Sequence, residues 1–180
     1  MKREFSAGGI VFKKLQEVQR FHRQSERKNI NSNSVVKVLF LLTKSSVSEL
    51  FPNSIWRLPK GWIDDVGEGK NPGPIASGER KATEEELQSS ALREVREEAG
   101  VEATVIKKIG TETYFLMMND ERIMKFVTFY LMEWIADLPE GFGFETSEVG
   151  WFEFDEAKKI LKSGGEKKML EKAMSLLSLK

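Results

Sequence analysis

Three glutamates stand within five residues in "REVREEAG", residues 93–100. If this stretch is helical, successive residues turn by about 100°, which puts Glu94 and Glu98 about 40° apart and Glu97 about 60° from Glu94. All three then share one helix edge, beside an apolar stripe of Leu87, Ala91 and Val95. Like charges at i, i+4 cost roughly 0.2–0.5 kcal/mol in an isolated helix, and partial burial adds to that cost by pushing a carboxyl pKa upward. A hard divalent cation such as Mg²⁺ or Mn²⁺ would remove the repulsion and share its remaining positions with a phosphate. On these eight residues alone a solvated helix edge, with Arg93 and Glu97 paired, explains the pattern as well.

Composition narrows the chemistry. The chain has 180 residues, with 28 Lys plus Arg against 28 Asp plus Glu. No global field favours nucleic acid or a membrane surface, so an anionic partner must be held by local groups. There is no cysteine and one histidine, His22. Thiol catalysis, cysteine zinc sites and a histidine cluster are thereby excluded, and the absence of cysteine fits a reducing, cytoplasmic setting. The N-terminal "MKREFSAGGIVF" lacks the apolar core of a secretory signal, and no run approaches the ~18 apolar residues of a membrane span.

The elements that must position the glutamates can be read in order. Residues 4–12 and 35–43 are strand-like, and 14–34 between them is polar, an expected loop or splayed hairpin tip. "WRLPKGWID" (56–64) follows, extended before Pro59. The Gly- and Pro-rich stretch that comes next, about 65–82, reads as a surface excursion. "TEEE" is a capping box with Thr83 as N-cap and Glu86 three residues on, so a helix is predicted over about 84–99. Gly100 is its left-handed terminator. Two strands, 102–117 and 122–135, are predicted around the turn "MNDE", then a short strand "VGWFEF". Two amphipathic helices, "DEAKKILKSGG" and "EKKMLEKAMSLLSL", are expected at the end.

In this context R-E-V-R-E-E-A-G-V resembles the second half of the Nudix box, G-x5-E-x7-R-E-U-x-E-E-x-G-U, with U a large aliphatic residue. Arg93, Glu94, Val95, Glu97, Glu98, Gly100 and Val101 fill its fixed positions, and seven residues separate Glu85 from Arg93. The first half departs from the pattern: 23 residues rather than five separate Gly61 from Glu85. "GWIDDVGE" also resembles the start of the box with one residue extra, so Glu68 competes with Glu85 for the first box glutamate. The spacing to Arg93 favours Glu85. "AGGIVF", "WRLPKG", "KFVTFYLM" and "VGWFEFDEA" extend the resemblance over most of the chain. Trp-x-Leu-Pro-Lys-Gly with the later Lys-x-x-x-Phe is most similar to the diadenosine polyphosphate hydrolase branch.

The resemblance implies an α/β (α+β) Nudix fold, a mixed sheet sandwiched between helices in one domain over 1–180. It implies metal-dependent hydrolysis of a nucleoside diphosphate linked to a group X. Glu94, Glu97 and Glu98 would hold Mg²⁺ or Mn²⁺, with the Lys60 backbone carbonyl completing the shell, and Arg93 would orient a glutamate. Glu85 and Gly61 would support the site. Glu145 or Glu148 would supply a further acidic group. The side chains of Lys60 and Lys125 are candidates for phosphate, and Tyr114 and Phe129 for stacking on a base. The expected partner is a nucleotide, with nucleic acid only as a 5′-end substrate and no membrane; the oligomeric state is open. The other readings are an ADP-sugar or nucleotide pyrophosphatase, an RNA 5′ pyrophosphohydrolase, and a Nudix-fold binding module without turnover.

Overall fold

The computed structural model describes residues 1–18, 34–47, 52–67, 69–118 and 120–178. His22 and Glu68 lie outside these residues. Alternating apolar residues set the architecture. Strand β1 (Lys2–Val18) sends Ile10 and Phe12 to one face of a sheet, and Ala7 and Val11 to the other. Strand β2 (Ser34–Ser45) divides Phe40 and Leu42 from Leu41 in the same way. This is the period-two pattern of a strand covered on both faces.

β1 is the centre of a seven-stranded mixed sheet. One edge of β1 runs parallel to β8 (Glu121–Asp137), from Lys2 opposite Ile123 to Phe12 opposite Glu133. β8 forms an antiparallel pair with β7 (Val101–Met118). The other edge of β1 is divided. Its C-terminal part, Phe12 to Val18, pairs with β2, and its N-terminal part, Ser6 to Gly8, pairs with β4 (Lys60–Trp62). β2 turns away from β1 and takes β3 (Trp56–Arg57) beside Thr43 and Lys44, with β9 (Thr146–Glu153) on its far edge. The "WRLPKGW" segment therefore fills the gap where β1 and β2 diverge. Strands were predicted to stop at 12 and begin at 35; the ladder instead continues through residues 13–18.

Helix α1 (Glu84–Ala99) covers one face of the sheet. The predicted capping box is present: the Thr83 side chain accepts from the Glu86 N–H and the Glu86 carboxylate accepts from the Thr83 N–H. Gly100 terminates the helix at φ 64°, where a side chain would be strained. Ala91, Val95 and Ala99 form its buried stripe with Leu41, Tyr130 and Met132. Helices α2 (Phe154–Ile160) and α3 (Gly164–Ser178) cover the other face through Ala157, Leu161, Met169, Leu170 and Ala173. The break between them falls at 161–163, not after Gly165 as the sequence suggested, because Ser163 caps α3 by accepting from the Glu166 N–H. Fully burying a side chain such as Leu170 or Phe40 stabilises by roughly 1.5–3 kcal/mol, so this second layer is firmly fixed to the sheet.

The excursion expected at 65–82 forms a two-stranded hairpin, β5 (Asp65–Val66) with β6 (Asn71–Pro72). Its neck is closed by Asp64, which accepts from the Ile75 and Ala76 N–H groups at 3.1 and 2.7 Å. The return limb departs from a pure surface loop: Ile75 and Ala76 are buried, Ile75 in the core beneath α1. Among the described residues no helix is long and apolar enough to cross a membrane.

Candidate active site

α1 presents its last two turns to β4. Glu94 and Glu98 are buried, whereas Glu97 is exposed. Each glutamate is gripped. The Arg93 guanidinium donates to Glu97 Oε2 and contacts Glu94 Oε1, both at 2.7 Å, and donates to the Trp62 carbonyl at 2.8 Å. Glu98 Oε1 accepts from Arg57 at 2.7 Å, and its Oε2 accepts from the Lys60 N–H at 2.8 Å. Arg93 thus contacts two of the three glutamates at once. Gly61 sits directly against the Glu94 carboxylate, and any Cβ there would overlap it.

The electrostatics are unfavourable by construction. Acidic groups in the last turns of a helix oppose its dipole. Burial pushes Glu94 to about 8, with Glu98 and Glu97 adding to the rise and Arg93 opposing it. Burial also raises Glu98, against the pull of Arg57 and Lys60. Arg93 alone does not meet the demand for positive charge at Glu94. The donor set, all carboxylate oxygen, suits Mg²⁺ or Mn²⁺. Among the described residues no three acidic groups form a ligating cluster; Arg93 bridges Glu94 and Glu97, and Arg57 holds Glu98. Glu97 is on the surface, paired with Arg93.

A cleft of about 700 Å³ opens on the other side of Arg57, Lys60 and Gly61, which contact Glu98 and Glu94; none of the three glutamates lines it. Arg57, Lys60, Gly61, Lys125, Tyr114 and Glu145 line it, together with apolar Ile55, Trp56, Val127 and Phe144. Most of the sequence-derived candidates are therefore brought together, with several differences. The Lys60 side chain is committed to Glu166 from α3, which also accepts from the Leu58 N–H. Burial alone would lower the Lys60 pKa, but the Glu166 carboxylate holds it above its ordinary value. Lys125 lies 3.1 Å from the Glu4 carboxylate, which is 1% exposed and also accepts from the Trp62 indole N–H. Neither lysine is a free cation.

Glu145 stands at the cleft, close enough to Glu98 to raise its pKa. Glu148 points elsewhere and pairs with Lys44 at 3.0 Å. Phe129 is fully buried in the core with Ile10, Leu58 and Leu170, so it offers no face to a base. The alternation of aromatic residues in β8 reflects core packing at that position. Tyr114 remains at the cleft wall, half-buried. Glu85 is exposed in the first turn of α1, two turns before Arg93 and its partners. Sequence reasoning missed Arg57, Glu4 and Glu166. Arg57 stood inside the quoted "WRLPKG", but nothing in one dimension says that it reaches Glu98, 41 positions later.

Residues 30–173 match the family model of the NUDIX domain, and the chain belongs to the Nudix family. It is similar to MutT4 of Mycobacterium tuberculosis, a proposed mutator protein, with 28% identity over 123 residues. The match takes in 68% of this chain and 42% of that one, so the chain spans less than half the length of this curated relative. Among solved structures it resembles a C. elegans Ap4A hydrolase in a binary complex, with a TM-score of 0.58 and 19% identity over 98% of this chain and 99% of that one. It also resembles the NUDIX domain of Shewanella oneidensis NrtR complexed with ADP ribose, with a TM-score of 0.57 and 16% identity over 98% and 90% of the two chains. At these identities the structural likeness is one of fold.

Proposed function

We propose that this protein is a divalent-metal-dependent pyrophosphohydrolase that cleaves a nucleoside diphosphate linked to a group X. The observation that carries the reading is the buried, mutually repelling pair Glu94 and Glu98, with Glu97 beside them, in contact with the Arg57, Lys60 and Gly61 segment that lines an open cleft. Glu94, Glu97 and Glu98 would hold Mg²⁺ or Mn²⁺, together with the Lys60 carbonyl. When bound, the metal neutralises phosphate oxygen charge and makes water a better nucleophile. Phosphoryl transfer needs positioning and charge neutralisation more than covalent catalysis. Arg93 fixes the rotamers of Glu94 and Glu97. Glu145, on the cleft wall, is the group we assign to accept a proton from water. Tyr114 is positioned to pack against a base.

For X we favour a second nucleotide joined through a longer phosphate chain. "WRLPKG", "KFVTFYLM" and the fold likeness to an Ap4A hydrolase support this. A nucleotide-sugar substrate is the second reading, favoured by one observation: Lys60 and Lys125, the lysines expected to meet a long chain, are already paired with Glu166 and Glu4. A panel of diadenosine tetraphosphate, ADP-ribose, nucleoside triphosphates and 5′-triphosphate RNA with Mg²⁺, products resolved by chromatography, separates these. Failure to cleave any member with either Mg²⁺ or Mn²⁺ would leave a binding module. The cytoplasmic expectation rests on the cysteine-free composition.

A further inference from the structure

We propose that Arg57 is a two-position cation. It is the counter-ion of Glu98 when no divalent ion is bound, and a phosphate ligand in the cleft once such an ion takes Glu98. The inference rests on the pyrophosphohydrolase reading and deepens it by coupling metal loading to substrate binding.

The backbone of Arg57 is fixed. It pairs with Thr43 in the sheet, and its carbonyl accepts from the Thr43 hydroxyl. The side chain is not fixed at all its donors. One terminal nitrogen donates to Glu98 Oε1 at 2.7 Å, while the buried Nε has no hydrogen-bond partner among the described residues. The side chain is 27% exposed and lines the cleft. Glu98, 4% exposed, has two partners: this guanidinium and the Lys60 backbone N–H. Only the guanidinium is on a flexible stem.

A divalent ion on Glu98 would stand within a few ångströms of the guanidinium charge, and like charges at that range repel strongly in a partly buried site. The side chain is the part able to yield. It has a destination, because the cleft is on its open side and its planar fork matches a phosphate bidentately. The other cleft cations have no such release: Lys60 keeps Glu166 and Lys125 keeps Glu4 whether or not metal is present, and Lys162, also on the cleft wall, has no carboxylate partner among the described residues for a metal to take. Arg57 is thus the cation whose partner the metal removes. The linkage is reciprocal, so nucleotide binding must strengthen metal binding by the same factor.

The test measures binding, not turnover. Wild type, Arg57→Ala and Arg57→Lys are titrated calorimetrically with Mn²⁺ alone, and with α,β-methylene-ADP in Mn²⁺ and in EDTA. Arg57→Ala should bind Mn²⁺ about tenfold more tightly, since the competing cation is gone, yet bind the nucleotide about tenfold more weakly in Mn²⁺ (each about 1.4 kcal/mol). Arg57→Lys should recover part of both. A merely structural arginine would weaken both ligands together. Unchanged or weaker Mn²⁺ binding in Arg57→Ala, or unchanged nucleotide binding, overturns the proposal. If Arg57→Ala does not fold, Arg57→Gln gives the same contrast with a side chain of similar length. Opposite shifts in a protein that cleaves nothing would leave the Arg57 assignment standing and sink the hydrolase reading; normal turnover without the shifts would do the reverse.

Discussion

Gly61 lies so close to Glu94 that a Cβ on the glycine would occupy the space of the carboxylate. The backbone of β4 and the end of α1 are therefore in direct contact at the acidic edge. Gly61→Ala should displace Glu94, lowering kcat by about two orders of magnitude or more, the scale on which a small misplacement of a catalytic group acts. Overpacking of this kind costs about 1–3 kcal/mol of stability. Steady-state kinetics with Mg²⁺ and thermal unfolding of the same sample check both effects. A variant with normal turnover would show that Glu94 need not keep this position.

Glu97→Gln and Glu98→Gln should each reduce turnover by orders of magnitude, but their stabilities should differ. Glu97 is exposed and its loss relieves crowding, so the metal-free melting temperature should hold or rise slightly. Glu98→Gln leaves the partly buried Arg57 without a carboxylate. Removing one member of a fully buried pair costs up to about 3–5 kcal/mol, but Arg57 reaches solvent and Gln also removes the buried charge whose pKa burial raises, so the net loss is a fraction of that and still sets this variant below Glu97→Gln. Calorimetry in EDTA separates the two variants, and near-normal activity in both would return these residues to a structural role.

Stability of the metal-free protein should fall as pH rises. Burial lifts Glu94 from the ordinary 4.5 to about 8. Between those values the folded state binds a proton that the unfolded chain has lost, so the relative stabilisation is full below pH 4.5 and is lost as pH passes through about 8. Every tenfold difference in proton affinity between the folded and unfolded chain corresponds to about 1.4 kcal/mol. Glu94→Gln should flatten most of this slope, with Glu98, also raised, leaving a remainder. Unfolding in EDTA between about pH 5 and pH 9, a range that brackets most of the titration, measures it; identical slopes in variant and wild type would contradict the assignment.

Lys125 should matter for long phosphate chains only if it can leave Glu4. Lys125→Ala leaves a carboxylate that is 1% exposed with Lys2 and the Trp62 indole as its partners, so the double variant Lys125→Ala/Glu4→Gln is the cleaner probe. For a dinucleoside polyphosphatase, kcat/KM for diadenosine tetraphosphate should drop more than that for ADP-ribose, by about tenfold, the scale of one charge-assisted contact. Equal losses, with a wild-type preference for ADP-ribose, would favour the nucleotide-sugar reading.

Replacing residues 66–72 by a short turn, with the Asp64 neck retained, should leave melting temperature and turnover nearly unchanged. The hairpin contributes Val66 and Asn71 to solvent, whereas Ile75 and Ala76 stay in place. The same deletion removes Glu68. Retained activity together with loss in Glu85→Ala assigns the first box glutamate to Glu85; the opposite outcome assigns it to Glu68.

The sequence by itself determined α1, its caps and the shared edge of Glu94, Glu97 and Glu98, because helix geometry is local: spacing fixes angle, Thr83 and Glu86 satisfy each other, and Gly100 can only end the helix. It also determined the strands whose apolar residues alternate, since that period has one meaning in a two-faced sheet. The lengths of β1 and β2 beyond that pattern were not legible, as the mostly polar residues 13–18 are strand only because a partner lies alongside. Nor could the fate of the charges be read. Whether Lys60 faces a ligand or Glu166, whether Lys125 is free or held by Glu4, and whether Arg57 meets Glu98 depend on contacts spanning 41 to 121 positions. Phe129 and Tyr114 look alike as aromatic strand residues; only the packing of α3 against the sheet buries the first and leaves the second at the cleft. Long side chains choose partners by three-dimensional proximity and the energetic demand of buried charge, and neither quantity exists until the helices have docked on the sheet.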